Sequence, residues 1–166
     1  MGEQEEKKSI DDIFAEGNEH LNAGRFDEAI ESFQSFLAEA AESPEARNNL
    51  GLAFFHNGRL EEAAAEFRKA LAQLPDFAIA QANLGLALLN MKKFEEAVAP
   101  LQKALALDES LVEANYNLGL ALYRSGRTAE ALAAYERFIA NAPAEYRNYI
   151  EGVQKIIEQL KQAPSA

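Results

Sequence analysis

The chain has 166 residues, of which 26% are charged, and its formal net charge is −11. It contains 32 Ala and 20 Leu but only 3 Val, 8 Ile and 1 Thr, so residues that favour strands are scarce and the sequence predicts an all-α protein. The negative charge argues against a nucleic-acid partner, because phosphate contacts need Lys or Arg. With no cysteine in the sequence, disulfides and thiolate chemistry are excluded.

Residues 1–9 are acidic and polar, and we expect them to form a leader ahead of the first helix. They lack the basic and apolar regions of a secretory signal. The longest uncharged run, residues 77–91, contains Gln81, Asn83 and Asn90 and is too short and too polar to cross a bilayer. We therefore expect a cytoplasmic protein with no membrane partner.

A repeat with a period of 34 residues dominates the sequence: Asn-Leu-Gly-Leu-Ala occurs at 49–53, 83–87 and 117–121. A diverged copy around Gly17 precedes these three. Turn signals and then a small residue follow each copy, which predicts a helix, a turn and a second helix in each unit. The predicted units are residues 10–43, 44–77, 78–111 and 112–145. Three signals mark starts of first helices: Ser43-Pro44, Asp76, and a capping box from Ser110 to Glu113.

The residues that recur at equivalent positions resemble those of the tetratricopeptide repeat (TPR) family over residues 10–145. They are Gly17, Gly51, Gly85 and Gly119 on first helices, and Ala29, Ala63, Ala97 and Ala131 with Phe33, Phe67, Leu101 and Tyr135 on second helices. Small residues let two helix backbones approach closely, and the bulky residue fills the remaining space. The resemblance implies a right-handed α-solenoid of helix-turn-helix units. The family usually has Trp or another bulky residue four positions before the glycine, where this chain has Ile13, Arg47, Gln81 and Asn115.

The chain beyond the repeats has helical apolar spacing from Tyr146 to Leu160. This pattern predicts a capping helix over 146–162, followed by a tail at 163–166. Pro100 falls inside a predicted second helix, where it removes a backbone donor, and we expect a kink or a weakened turn there.

Residues suited to catalysis are few, and we expect no enzymatic activity, no cofactor and no metal site. His20 and His56 have no metal-ligand spacing, and the glycines form no phosphate-binding loop. Pairs such as Glu61-Glu62 lie in the first turn of second helices, where interaction with the helix dipole accounts for them.

The resemblance implies that first helices line a concave groove that binds a protein or peptide segment. Residues on that face follow from their spacing relative to each glycine. The candidate peptide-binding residues are Asn18, Asn49, Leu52, Phe55, His56, Asn83, Leu86, Leu89, Asn90, Tyr116, Asn117, Leu120, Tyr123 and Arg124. Asn49, Asn83 and Asn117 form a row resembling the asparagine ladder with which some TPR superhelices bind extended peptide backbones. An amide suits this role because it both donates and accepts hydrogen bonds.

Two alternatives bear on this groove. Its apolar positions could instead pack against another copy of the chain, which would make the protein a structural self-assembly module and a homo-oligomer. Capture of a chaperone C-terminal carboxylate, another TPR mode, is disfavoured because Phe14, Ile79 and Asn83 stand where the family's clamp has its cations. The sequence thus favours a non-enzymatic protein-interaction scaffold.

Overall fold

The structure is a computed structural model that describes residues 8–162. Within this range every regular element is a helix, as the composition predicts. The chain divides into two compact units between Pro75 and Asp76. None of the described helices combines the length and the apolar character needed to span a membrane.

The first unit contains two helix pairs. Helices α1 (Ile10–Asn22) and α2 (Phe26–Glu39) form the first pair, and α3 (Pro44–His56) and α4 (Leu60–Gln73) form the second. Helix α3 packs on α2 and also contacts α1, so first helices lie side by side. Phe33 and Phe67 are fully buried between the helices of their own pairs.

The second unit repeats this arrangement and adds a last helix. Its pairs are α5 (Ala78–Asn90) with α6 (Phe94–Leu107), and α7 (Val112–Arg124) with α8 (Thr128–Asn141). A single 3-10 turn, Ala144–Tyr146, leads into α9 (Arg147–Gln162), which packs on α8 and buries Val153 and Ile157. The capping helix expected from the sequence is therefore present.

Close approach within each pair requires the repeated glycine. A Cβ at Gly51 would lie 2.6 Å from Cε1 of Phe67, and one at Gly119 would lie 2.5 Å from Cδ1 of Tyr135. Gly17 and Gly85 face Phe33 and Leu101 in the same way. The steric role predicted for these positions is confirmed.

The turn inside each pair has a left-handed residue at one fixed position. Gly24, Gly58 and Gly126 have φ of 73°, 78° and 79° there, and Lys92 has φ of 60°. Glycine adopts this conformation without the steric cost that a Cβ brings. Lys92 therefore holds a strained backbone where the other three turns do not.

The starts of the first helices agree only in part with the predicted signals. Ser43 caps α3, because its hydroxyl accepts a hydrogen bond from the Ala46 N–H at 3.2 Å and Pro44 opens the helix. The capping box predicted at Ser110 is wrong: the Ser110 hydroxyl and N–H both donate to Asp108 Oδ1, at 2.6 and 2.9 Å. Asp76 does not cap α5 either, since Oδ1 accepts from Lys103 Nζ at 2.7 Å.

The position four residues before the glycine differs between the two units. In the first unit Arg47 fills it, with Nη1 3.2 Å from Glu66 Oε2 and Nη2 donating to the Ala41 carbonyl at 3.0 Å. Two periods later the equivalents of Arg47 and Glu66 are Asn115 and Ala134. A cavity of about 520 Å³ opens there between α6, α7 and α8.

Helix α6 continues through Pro100 and is fourteen residues long, the same length as α2, α4 and α8. The kink expected at Pro100 stays a prediction.

Candidate peptide-binding surface

The second unit contains a cavity of about 490 Å³ between the first helices α5 and α7. Helix α5 contributes one apolar and amide-bearing face, and the start of α7 forms the opposite wall. The segment between α8 and α9 closes one end. The lining from α5 is Ile79, Ala82, Asn83 and Leu86; from the α7 side it includes Leu111, Val112, Glu113 and Asn117; the end segment adds Pro143, Glu145 and Tyr146.

Three of the predicted binding residues, Asn83, Leu86 and Asn117, meet in this cavity. They come together because the 34-residue period places them on equivalent faces of α5 and α7, which contact each other. Asn117 is half-buried, and its side-chain amide has no hydrogen-bond partner among residues 8–162. Its one acceptor and two donors are thus available to a bound main chain.

The equivalent amides of the first unit are used within the protein. Asn49 Nδ2 donates to Asn18 Oδ1 at 2.9 Å, and Asn49 Oδ1 accepts from Asn48 Nδ2 at 3.2 Å. The first bond joins α3 to α1, the second lies within α3, and together they fix the orientation of the Asn49 amide. Part of the hydrogen-bonding capacity that the sequence assigns to a peptide is already satisfied here.

The other predicted residues of the first unit lie at the end of α3. Leu52 and Phe55 are half-buried, and His56 is exposed. The imidazole of His56 stacks on Phe26, with ring centroids 5.3 Å apart and an interplanar angle of 18°. His56 is therefore positioned by the first residue of α2 while its outer face stays open.

The corresponding residues of the second unit vary in how much surface they present. Leu89 is only 7% exposed and belongs to the core, whereas Tyr123 is 43% exposed. Leu120 is half-buried. The Asn90 amide donates to the Leu86 carbonyl at 2.9 Å, and the Arg124 guanidinium lies 4.6 Å from the ring centre of Phe94. The surface thus presents Tyr123 and Leu120, whereas Leu89 is buried in the core.

Tyr116 belongs to an aromatic cluster that joins α7, α8 and α9. Its ring centre lies 5.5 Å from those of Phe138 and Tyr149. Tyr146 contacts both Phe138 and Tyr149, at 6.0 and 6.1 Å. The cluster fixes the segment that closes the cavity, and Tyr149 is 56% exposed beside it.

Tyr146 also links the cavity wall to α7 by a hydrogen bond. Its hydroxyl donates to Glu113 Oε1 at 2.6 Å. This bond, together with desolvation and the negative charges of Glu113 and Glu145, raises the pKa of Tyr146 to about 12. The phenol remains a neutral donor throughout the physiological range.

The sequence did not point to the segment that closes the cavity. Pro143 and Glu145 end the last predicted unit and Tyr146 follows it, and the recurring residues of the 34-residue repeat include none of the three. Ile79 and Glu113, which were not among the predicted binding residues, lie six residues before Gly85 and Gly119. Both line the cavity.

Residues with catalytic potential have structural partners. His20 Nδ1 accepts a hydrogen bond from Arg25 Nε at 2.9 Å, and His56 stacks on Phe26. Within residues 8–162, no group of three His, Asp or Glu side chains is placed to hold a metal ion.

Successive helix pairs, each closed by a glycine against a bulky side chain, define a helical-repeat protein, and in each unit the first helices present amide and apolar groups. Family models described as tetratricopeptide repeat match residues 14–78, 82–146 and 54–108. The chain belongs to the tetratricopeptide repeat family, whose members are typically non-enzymatic, and it is a protein-interaction scaffold.

Solved structures with the same fold include several of MamA. One, described as the crystal structure of MamA protein, has 24% sequence identity and a TM-score of 0.78, with 92% of this chain and 86% of that chain covered. A MamA RS-1 double mutant has 19% identity and a TM-score of 0.80, with coverages of 92% and 89%. MamA 41-end from Desulfovibrio magneticus RS-1 has 18% identity and a TM-score of 0.78, with coverages of 95% and 97%. A search of curated proteins found no match.

Proposed function

We propose that this scaffold binds an extended or helical segment of a partner protein on the face of its first helices. The observation that carries the proposal is the cavity between α5 and α7, where Asn117 presents an unpartnered, half-buried amide between apolar walls. The volume of about 490 Å³ falls within the usual range for ligand sites. Apolar contacts supply affinity in such a site, and the amides orient the bound main chain.

The first unit, taken by itself, presents groups of a different kind. Its Asn18–Asn49 pair is a fixed element of the surface, and Leu52, Phe55 and His56 contribute apolar and aromatic area near the end of α3. The proposed main-chain recognition therefore rests mainly on the second unit.

A peptide library displayed on phage, selected on the full chain, provides the probe. The affinity of a selected peptide is then measured for the wild type and for the double variant Asn83→Ala, Asn117→Ala. We expect a loss of about tenfold or more, because central buried contacts dominate binding energy. The matched control is Asn141→Ala with Asn148→Ala, two exposed asparagines on α8 and α9. Unchanged affinity in the Asn83/Asn117 variant, with helicity retained, would contradict peptide binding at this cavity.

Self-association is a second candidate function, favoured by large apolar side chains at the surface of the second unit. Ile79 is 51% exposed, Tyr123 43% and Tyr149 56%. If these side chains pack against another copy, light scattering will detect a mass that rises with concentration, and Ile79→Ser will lower it. A monomer across the micromolar range would remove this candidate.

A further inference from the structure

The cavity between α5 and α7 has acidic side chains and no basic ones in its lining. Glu113 at the start of α7 and Glu145 in the closing segment both contribute, and Lys, Arg and His are missing from the lining residues that the structure describes. The remainder is apolar, amide or hydroxyl. A bound segment would therefore experience a negative electrostatic potential from the lining.

The two carboxylates act on the same end of the cavity. Tyr146 donates its hydroxyl hydrogen bond to Glu113, and the charges of both Glu113 and Glu145 act on the phenol oxygen. Tyr146 thereby orients Glu113 at this end of the cavity, and its neighbour Tyr149, which does not itself line the cavity, exposes more than half of its surface. Carboxylates and the face of a tyrosine ring are both favourable surroundings for a cation.

The cavity on the other side of α7 provides an internal comparison. Its rim carries Glu109 and Glu130 together with Arg137, and Glu130 is bonded to Arg127 at 2.8 Å. Mixed charges of this kind favour neither a cationic nor an anionic ligand. The acidic lining thus distinguishes the cavity that the predicted binding residues share from its neighbour across α7.

We propose that the segment bound between α5 and α7 carries a Lys or Arg side chain next to an apolar one. The apolar side chain packs between Ile79 and Leu86, and the cation lies near Glu113 and Glu145 at the end of the cavity that the segment between α8 and α9 closes. The same charges disfavour an acidic segment, because they repel its carboxylate. The proposal rests on the proposed function and adds the chemistry of the partner.

The selection on the full chain tests the proposal directly. Peptides recovered with the wild type are expected to be enriched in Lys or Arg adjacent to an apolar residue and depleted in Asp and Glu. For one such peptide, replacement of its basic residue by Gln is expected to weaken binding about three- to tenfold at low salt. Equal affinity of the Gln peptide, or recovery of acidic peptides, would overturn the proposal.

Variants of the protein separate this proposal from the proposed function. Glu113→Gln with Glu145→Gln keeps an acceptor for Tyr146 and removes both charges, so it should lose the preference for the basic peptide over its Gln analogue. The matched control, Glu109→Gln with Glu151→Gln, changes the net charge equally at exposed positions outside the lining of the cavity between α5 and α7. A preference that survives in the Glu113/Glu145 variant overturns the charge assignment, whereas the failure of every peptide to depend on Asn83 and Asn117 overturns peptide binding itself.

Discussion

Lys92 stands at the turn position where the other three helix pairs have glycine. Its φ of 60° costs about 1 kcal/mol relative to glycine. We expect Lys92→Gly to raise the free energy of unfolding by about that amount, as measured by urea denaturation. Lys92→Ala, which removes the charge but keeps the Cβ, should give no such gain.

The reverse substitution checks the same argument. A Cβ at Gly126 would meet nothing within 4 Å, so Gly126→Ala tests backbone strain alone. A loss of about 1 kcal/mol is expected. If Gly126→Ala is neutral, or Lys92→Gly destabilises, the strain argument is wrong.

Residue types at equivalent positions could be read from the sequence because they recur at a fixed spacing. The glycines and their bulky partners, such as Gly119 and Tyr135, were predicted for this reason. The conformation of Lys92 was not, since a lysine in a turn does not by itself specify a positive φ. The burial of Leu89 also escaped prediction, because the equivalent Phe55 and Tyr123 have longer side chains that reach the surface.

At the scale of helices, one repeat position has different surroundings in the two units. Arg47 forms an ion pair with Glu66 in the first unit, whereas Asn115 lines a cavity in the second. Glu66 is 8% exposed and depends on Arg47 and Lys69 for its charge partners. We expect Arg47→Met to lower the free energy of unfolding by about 1–3 kcal/mol, because a buried carboxylate then loses one of its two cations. Arg68→Met, an exposed change on the same α4, should stay within about 0.5 kcal/mol.

Asn115 is 3% exposed and lines the cavity of about 520 Å³. Asn115→Leu should stabilise the second unit by about 1 kcal/mol, because leucine buries more apolar surface than the amide and fills part of the cavity beside Leu118 and Leu122. Urea denaturation of this variant beside the wild type provides the measurement. A loss of stability would mean that the cavity cannot take a larger side chain.

Helix boundaries were predicted well where the local signals agree and have no competing partner. At Ser43-Pro44 the cap and the proline agree, and α3 begins there. At Ser110 a competing partner, Asp108, lies two residues away and accepts hydrogen bonds from both the hydroxyl and the N–H.

The segment that closes the cavity between α5 and α7 could not be predicted, because its position depends on the packing of Tyr146 against Phe138 and Tyr149.

Over the whole molecule, the charge is concentrated in the first unit. Residues 1–75 carry −9 of the net −11, and residues 76–166 carry −2. Like charges repel, and salt screens the repulsion. We therefore expect added sodium chloride to stabilise α1–α4 more than α5–α9, with a difference on the order of 0.5 kcal/mol.

Amide hydrogen exchange followed helix by helix measures this difference. Core amides of α2 and α4 should gain more protection with salt than those of α6 and α8. Equal gains in both units would contradict a role for the uneven charge.

Helix α9 has a consequence for how such a chain can change in length. It packs on α8 through Val153 and Ile157, as α3 packs on α2 and α7 packs on α6. A fifth pair added after α8 would have to displace it. Duplication of an internal 34-residue segment meets no such obstacle, because its two ends match the junctions already present. Lengthening by gene duplication would therefore insert new pairs ahead of α9 and leave the closing segment and its cavity at the C-terminal end.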